Sequence, residues 1–310
     1  MVRASELMST EAGSDRELAW AIALQCYKME PKLEPLSRLN HAVFRLRFPD
    51  GSKILKLAKG SESASIRKEL MLIELLARHG IPVPVIEHAD DGGKLVGRPF
   101  FIMASAGDRT VADWVGRPDE LGRGLFAEMG AVLGRIHGIT FPASGDIRHD
   151  GIVPRDVQAV IRRLHDLADW GAAQRLLDAS DVARFRLLAM PPAHGVALCH
   201  SDFHAVQCVV RDGRIMAVVD WESAWAGNPL IDFAIAHAYL EAYAAPELTG
   251  RFFAGYTALG PLPADYEQVY LPVRMAHALG LLKIWHGQGR QAGVRRAIEL
   301  FRQYARLVQE

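Results

Sequence analysis

One stretch constrains this chain more than any other: Cys208-Val209-Val210-Arg211-Asp212-Gly213-Arg214-Ile215-Met216-Ala217-Val218-Val219-Asp220-Trp221. Two runs rich in β-branched residues flank Asp212-Gly213, a dipeptide favoured in tight hairpin turns because glycine accepts positive φ. The hairpin stands as an island. Around it the apolar residues recur at helical spacing, which predicts helices over 120–138, 154–169, 181–189, 230–243, 264–283 and 290–308. In the last of these, Val294, Ile298, Phe301, Ala305 and Val308 share one face, as a helix packed on a core requires.

The ends of this hairpin carry the chemistry. If Arg211 pairs with Arg214, Cys208 opposes Ala217 and position 205 opposes Asp220, across a strand spacing of about 5 Å. Gln207 and Asp220 then share the open end, and Asp202 lies just upstream in the loop that feeds the strand. An amide and two carboxylates converge, with His200 and His204 nearby. The same residues also fit a solvated hairpin end with loop carboxylates.

The first hundred residues read differently. Ser14-Asp15-Arg16-Glu17 forms a capping box ahead of the apolar run Leu18 to Leu24. Residues 43–48 and 54–57 alternate around a turn at 49–52 and predict a hairpin. A helix is expected over 63–79, with Ile66, Leu70, Ile73 and Leu76 on one face, then strands over 83–89 and 99–103. The expectation is an α+β chain of two parts, residues 1–104 with a small antiparallel sheet and residues 105–310 mainly helical. A length of 310 residues suits two lobes better than one.

Thirty-six basic and thirty-six acidic residues leave no net charge, hence no global field to attract nucleic acid or an anionic membrane. No apolar run approaches bilayer-spanning length, and the N-terminus lacks a signal-like apolar core. Cys26, Cys199 and Cys208 show no zinc spacing and are odd in number. A soluble protein of the reducing cytoplasm is expected.

His200-Ser201-Asp202-Phe203-His204-Ala205-Val206-Gln207, then Val218-Val219-Asp220-Trp221-Glu222, then Gly227-Asn228-Pro229-Leu230-Ile231-Asp232-Phe233-Ala234 resemble the catalytic segment of the aminoglycoside phosphotransferase and choline kinase-like family, relatives of the protein kinases. In that family the pattern is His-Gly-Asp-x-His-x-x-Asn, a hairpin, Ile-Asp-Trp/Phe-Glu, and Gly-Asp-Pro-x-x-Asp-Leu-Ala. Two departures stand out: Gln207 replaces Asn, and Ser201 replaces Gly. An amide oxygen, one methylene further out, still suits a hard cation.

The resemblance implies a bilobal protein-kinase-like fold. It also implies phosphorylation of a small-molecule hydroxyl with ATP and Mg²⁺ as cofactors. By that resemblance Lys56 would bind the α/β-phosphates and be set by Glu69, with Lys53 and Lys59 as competitors at strand ends. Residues 37–41 would cover the nucleotide, using Ser37, Asn40 or backbone N–H groups, and the backbone at Ala104 and Ala106 would meet adenine. Asp202 would be the base, Asp220 and Gln207 the metal ligands, and His200, His204 and Asp232 supports of the loop. For the acceptor, Glu222, Asp156, Asp166, Asp169 and Glu241 suit an amino-sugar, and Trp221, Trp225, Tyr239 and Trp285 a quaternary ammonium. Two rivals remain: a catalytically weak or silent nucleotide-binding relative, and a metal-dependent hydrolase built on His200, Asp202 and His204.

Overall fold

The computed structural model describes residues 14–37, 41–60, 64–154, 157–188 and 195–308. The chain forms two compact units. The first runs to Asp113 and takes in Arg148–Gly151 and Val206–Glu222; the second holds Trp114–Ile147, Ile152–Ala205 and the chain from Ser223 onward. The hairpin therefore belongs to the first unit, a segment that a single division after residue 104 assigns to the helical part.

In the first unit Ser14 caps helix α1 (Asp15–Tyr27) by the expected reciprocal bonds, Glu17 N–H to Ser14 Oγ and Ser14 N–H to Glu17 Oε2. Strands β1 (Lys32–Ser37), β2 (His41–Phe48), β3 (Gly51–Ala58), β4 (Ile86–Asp90) and β5 (Phe100–Ala104) make an antiparallel sheet in the order β1-β2-β3-β5-β4. Strand periodicity divides its residues between two faces. Phe44, Leu46, Leu55 and Leu57 pack with Leu18 and Ile22 of α1. Phe101 packs instead with Ile66 and Leu70 of helix α2 (Ala64–Arg78). Lys56 lies between Leu55 and Leu57 in β3, so its side chain takes the opposite face from theirs. β4 starts three residues later than the alternation predicts, because Pro82 and Pro84 lack the N–H that a ladder needs.

The hairpin strands Cys208–Arg211 and Arg214–Val218 pair as expected at Arg211↔Arg214. The register then slips: Val210 faces Ile215 but Val209 faces Ala217, so Met216 is an extra residue and Cys208 opposes Val218, not Ala217. This bulge bends the strand. Val219 N–H still reaches Gln207 O at 3.0 Å, which closes the open end beside Asp220.

The second unit contains helices α3 (Glu120–His137), α4 (Val157–Ala173), α5 (Ala179–Leu187), α6 (Pro229–Tyr243), α7 (Pro246–Thr257), α8 (Tyr266–Gly287) and α9 (Gln291–Ala305). Sequence periodicity missed α7, which carries Gly250 and Gly255, each costing a helix about 1 kcal/mol. The packing explains one of them. A Cβ on Gly255 would lie 1.9 Å from Ala127 O, and one on Gly130 would lie 2.0 Å from Phe252 O. The α3 and α7 backbones thus touch where only glycine fits. Val294, Phe301 and Ala305 of α9 pack with Met275, Leu279 and Leu282 of α8, as the apolar face of α9 predicts. Among the described residues no helix is long and apolar enough to cross a membrane.

Candidate active site

In the first unit the chemistry gathers on one ammonium group. Lys56 Nζ lies 2.5 Å from Glu69 Oε1, 2.9 Å from Asp220 Oδ1 and 3.0 Å from Glu222 Oε2. β3 aims the lysine at the face covered by α2, and the helical spacing that buries Ile66 and Ile73 buries Glu69 too. The hairpin's end delivers Asp220 and Glu222. Burial works against the charge on Lys56, but Glu69, Asp220 and Glu222 outweigh it and hold the ammonium above its ordinary range. For Glu69, burial is the larger influence and pushes the carboxyl up despite Lys56. Three carboxylates on one cation leave a surplus of negative charge. His41, Glu69 and Glu222 are close enough to share a metal ion. The Lys56 ammonium already stands between Glu69 and Glu222.

A cleft opens beside this cluster. Val43, Ile73, Phe101, Met103, Val219 and Pro84 supply apolar walls, and Lys56, Glu69, Gln207 and Asp220 line its polar part. Gln207 and Asp220 therefore face one space, as the hairpin reading expects. Asp220 has φ 70°, a left-handed conformation uncommon for a non-glycine residue. Its side chain is 42% exposed, leaving carboxylate oxygen accessible beyond the lysine contact. The surplus charge, the exposed carboxylate and the amide form an oxygen-donor set that fits Mg²⁺.

The expected adenine contacts are set by β5. Ala104 donates its N–H to Val85 O at 2.9 Å, so this group is committed to the sheet. Ala106 lies in the turn that follows, where Ser105 Oγ donates to Gly107 O. Lys53 is paired with Glu87 at 2.5 Å, which leaves Lys56 as the lysine in the cluster. Asn40, with Arg38 and Leu39, lies outside the described residues.

The second unit holds Asp202. Its Oδ1 accepts from Tyr239 Oη at 3.2 Å, and its Oδ2 lies 3.6 Å from His204 Nε2. Burial raises its pKa, but His204, His200 and Tyr239 outweigh that and keep it below the ordinary carboxylate range. An ionised carboxylate held in this way can accept a proton. Behind it the fully buried Asp232 takes His200 N–H and Ser201 N–H, both at 2.7 Å, and His137 Nε2 at 3.2 Å. That is the loop brace expected of Asp232. Ser201 sits at φ 71°, a conformation that glycine adopts freely.

Several expected acceptor groups are otherwise engaged. Glu222 pairs with Lys56 and lies 2.6 Å from His41 Nδ1, so it belongs to the Lys56 cluster. Glu241 pairs with Arg274 and accepts from Tyr270, and Asp169 pairs with Arg186. Trp221 is fully buried with Nε1 donating to Val218 O, which makes it core and not the wall of a cage. Asp156 lies outside the described residues, and Asp166 is exposed on α4. Glu222 and His41 were the residues that sequence reasoning missed as cluster members. The available signal was Glu222 two positions beyond Asp220, close enough to share its turn.

A five-stranded antiparallel sheet carrying a buried Lys–Glu pair, a helical part carrying an Asp loop, and an Asp at a hairpin end define a kinase-like fold. The chain matches the phosphotransferase enzyme family over residues 32–271 and belongs to it. The apo structure of a thermostable mutant of the aminoglycoside phosphotransferase APH(4)-Ia superposes with a TM-score of 0.66 at 18% identity, covering 93% of this chain and 98% of that one. A ternary complex of such a mutant with AMP-PNP and hygromycin B gives 0.65 at 18% identity, covering 93% and 97%. The macrolide 2′-phosphotransferase MphH of Brachybacterium faecium gives 0.58 at 16% identity, covering 93% and 97%. Mus musculus acyl-CoA dehydrogenase family member 10 is 26% identical over 221 residues, 66% of this chain but 20% of that protein. The chain thus spans about a fifth of that relative's length.

Proposed function

We propose that the protein transfers the γ-phosphoryl group of ATP to a hydroxyl of a small molecule, with Mg²⁺. The observation that carries this reading is the Lys56 cluster, one buried ammonium facing three carboxylates beside an apolar-walled cleft. Such a cluster is matched to a ligand that brings both anionic oxygens and a cation.

In this reading Lys56, oriented by Glu69, binds the nucleotide phosphates. Asp220 and Gln207 hold Mg²⁺, which when bound neutralises phosphate charge. The apolar walls around Met103 and Phe101 receive the base, with backbone groups near Ala104 and Ala106 as its polar partners. Because Ala104 N–H is already engaged, its carbonyl is the group left to this role. Asp202, kept ionised by its neighbours, accepts or orients the proton of the acceptor hydroxyl. Gentamicin, hygromycin B and macrolides are named for relatives in this fold class. For this chain we assign a small hydroxylated molecule without choosing among them.

The test is ATP consumption across a panel of hydroxylated small molecules, followed by Asp202→Asn with the acceptor that responds. Loss of a general base costs about 10²–10⁴ in rate, and ATP binding should survive. Full turnover in that variant removes Asp202 from the role. ATP binding without turnover on any acceptor favours the silent relative.

A further inference from the structure

A second constellation lies beside the Lys56 cluster. Ser65, in the first turn of α2, places Oγ 2.9 Å from His41 Nε2. The opposite ring nitrogen, His41 Nδ1, lies 2.6 Å from Glu222 Oε2. That contact is an ion-pair approach and not a hydrogen bond, Nδ1 being buried without a hydrogen-bond partner. A carboxylate oxygen so close repels a bare ring lone pair, so in the neutral ring the proton sits on Nδ1 and Nε2 presents its lone pair to the serine hydroxyl. Serine, histidine and carboxylate are thus connected in the order that makes a hydroxyl nucleophilic, with the histidine oriented by a third group. The placement fits the role, since His41 is 7% exposed while Ser65 is partly open to solvent. Glu222 Oε2 is also 3.0 Å from Lys56 Nζ, so one carboxylate links this relay to the lysine assigned to the phosphates.

We propose that Ser65 is a site of self-phosphorylation within the first unit, with His41 as its base and Glu222 as the residue that orients His41. The inference rests on the nucleotide reading of the Lys56 cluster. In the step, Ser65 Oγ forms a bond to the γ-phosphorus of ATP as the bond to the β,γ-bridging oxygen breaks. That electron pair leaves with ADP, and the hydroxyl proton passes to His41 Nε2. The product carries close to two negative charges against His41 and within reach of Lys68, whose Nζ already donates to Glu222 O at 2.9 Å. A phosphoserine there competes with Glu222 for His41 and would alter the cluster that binds the nucleotide.

The experiment treats the full chain with phosphatase, removes the phosphatase, adds Mg²⁺ and ATP, and locates phosphate by intact-mass and peptide mass spectrometry. Melting temperature with ATP is recorded on the same samples. The expected result is one phosphoryl group on Ser65, absent in Ser65→Ala. In His41→Gln, which can still hydrogen-bond but cannot accept the proton, the rate should fall about 10²–10⁴-fold. Ser65→Ala must keep its ATP-induced shift, which shows that the variant folds. An ATP shift without phosphate on Ser65, or phosphate only on other hydroxyls, overturns the inference and leaves the phosphotransferase reading standing. No ATP shift in the wild type overturns that reading itself. Labelling as fast in His41→Gln as in the wild type removes the relay.

Discussion

The two carboxylate centres of this molecule are built on opposite terms. Asp232 is fully buried and fully matched: two backbone N–H groups and His137 answer its charge. Around Lys56 three carboxylates compete for one ammonium, and Asp220 remains 42% exposed. A matched buried charge stabilises its surroundings and asks for nothing more. A surplus at the edge of a cleft raises the free energy of the apo state and is relieved by a cation. The first pattern is architecture and the second is the one we propose to bind nucleotide and cation, although sequence presents both as Asp in short motifs.

Removing each carboxylate should separate the two. Asp220→Ala should abolish Mg²⁺-dependent turnover, yet leave the apo melting temperature equal or higher because it removes a surplus charge. Kinetics and a melting curve on one sample check both halves. Asp232→Ala should instead cost stability, about 1–3 kcal/mol for each of the two buried N–H groups it leaves without an acceptor. Urea unfolding measures it, and a variant as stable as wild type would erase the distinction.

The acid limb offers a finer probe. Asp232 is held below the ordinary carboxylate range: burial raises it, but His137, His200 and the backbone bonds prevail. A depressed folded-state pKa gives stability that is present above the unfolded value and lost as pH falls through the folded one. The advantage of wild type over Asp232→Asn should therefore be constant well above the ordinary carboxylate pKa of about 3.9 and shrink as pH falls below it. An advantage that grows on acidification would reverse the assigned sign.

The smallest expected effect is at Ser201. Its φ of 71° is strained for a side chain, and its Oγ is buried without a hydrogen-bond partner. Ser201→Gly should stabilise the fold by about 1 kcal/mol, read as a rise in melting temperature. A fall would show that the loop depends on the side chain.

Much of this was legible beforehand, for identifiable reasons. Period-two alternation fixed the face on which Lys56 lies, and helical spacing fixed Glu69, because both follow from local geometry. The open end of the hairpin was equally readable, as its turn is local. The bulge at Met216 was not, since an apolar residue there leaves the pattern of the strand unbroken. Helix α7 was hidden by Gly250 and Gly255, and a contact with Ala127 of α3 explains Gly255. The partnership of Glu222 with Lys56 spans 166 positions and with His41 even more, and only the folded chain brings such groups together.

The central claim, that the crowded carboxylates around Lys56 await a nucleotide and a cation, is tested most directly by melting curves with ATP, with and without Mg²⁺. A ligand bound only by the folded state raises its stability by mass action. Wild type should gain more from ATP with Mg²⁺ than from ATP alone, and Asp220→Asn should lose that extra gain while keeping its apo stability. A Mg²⁺-dependent gain of equal size in Asp220→Asn would contradict the account.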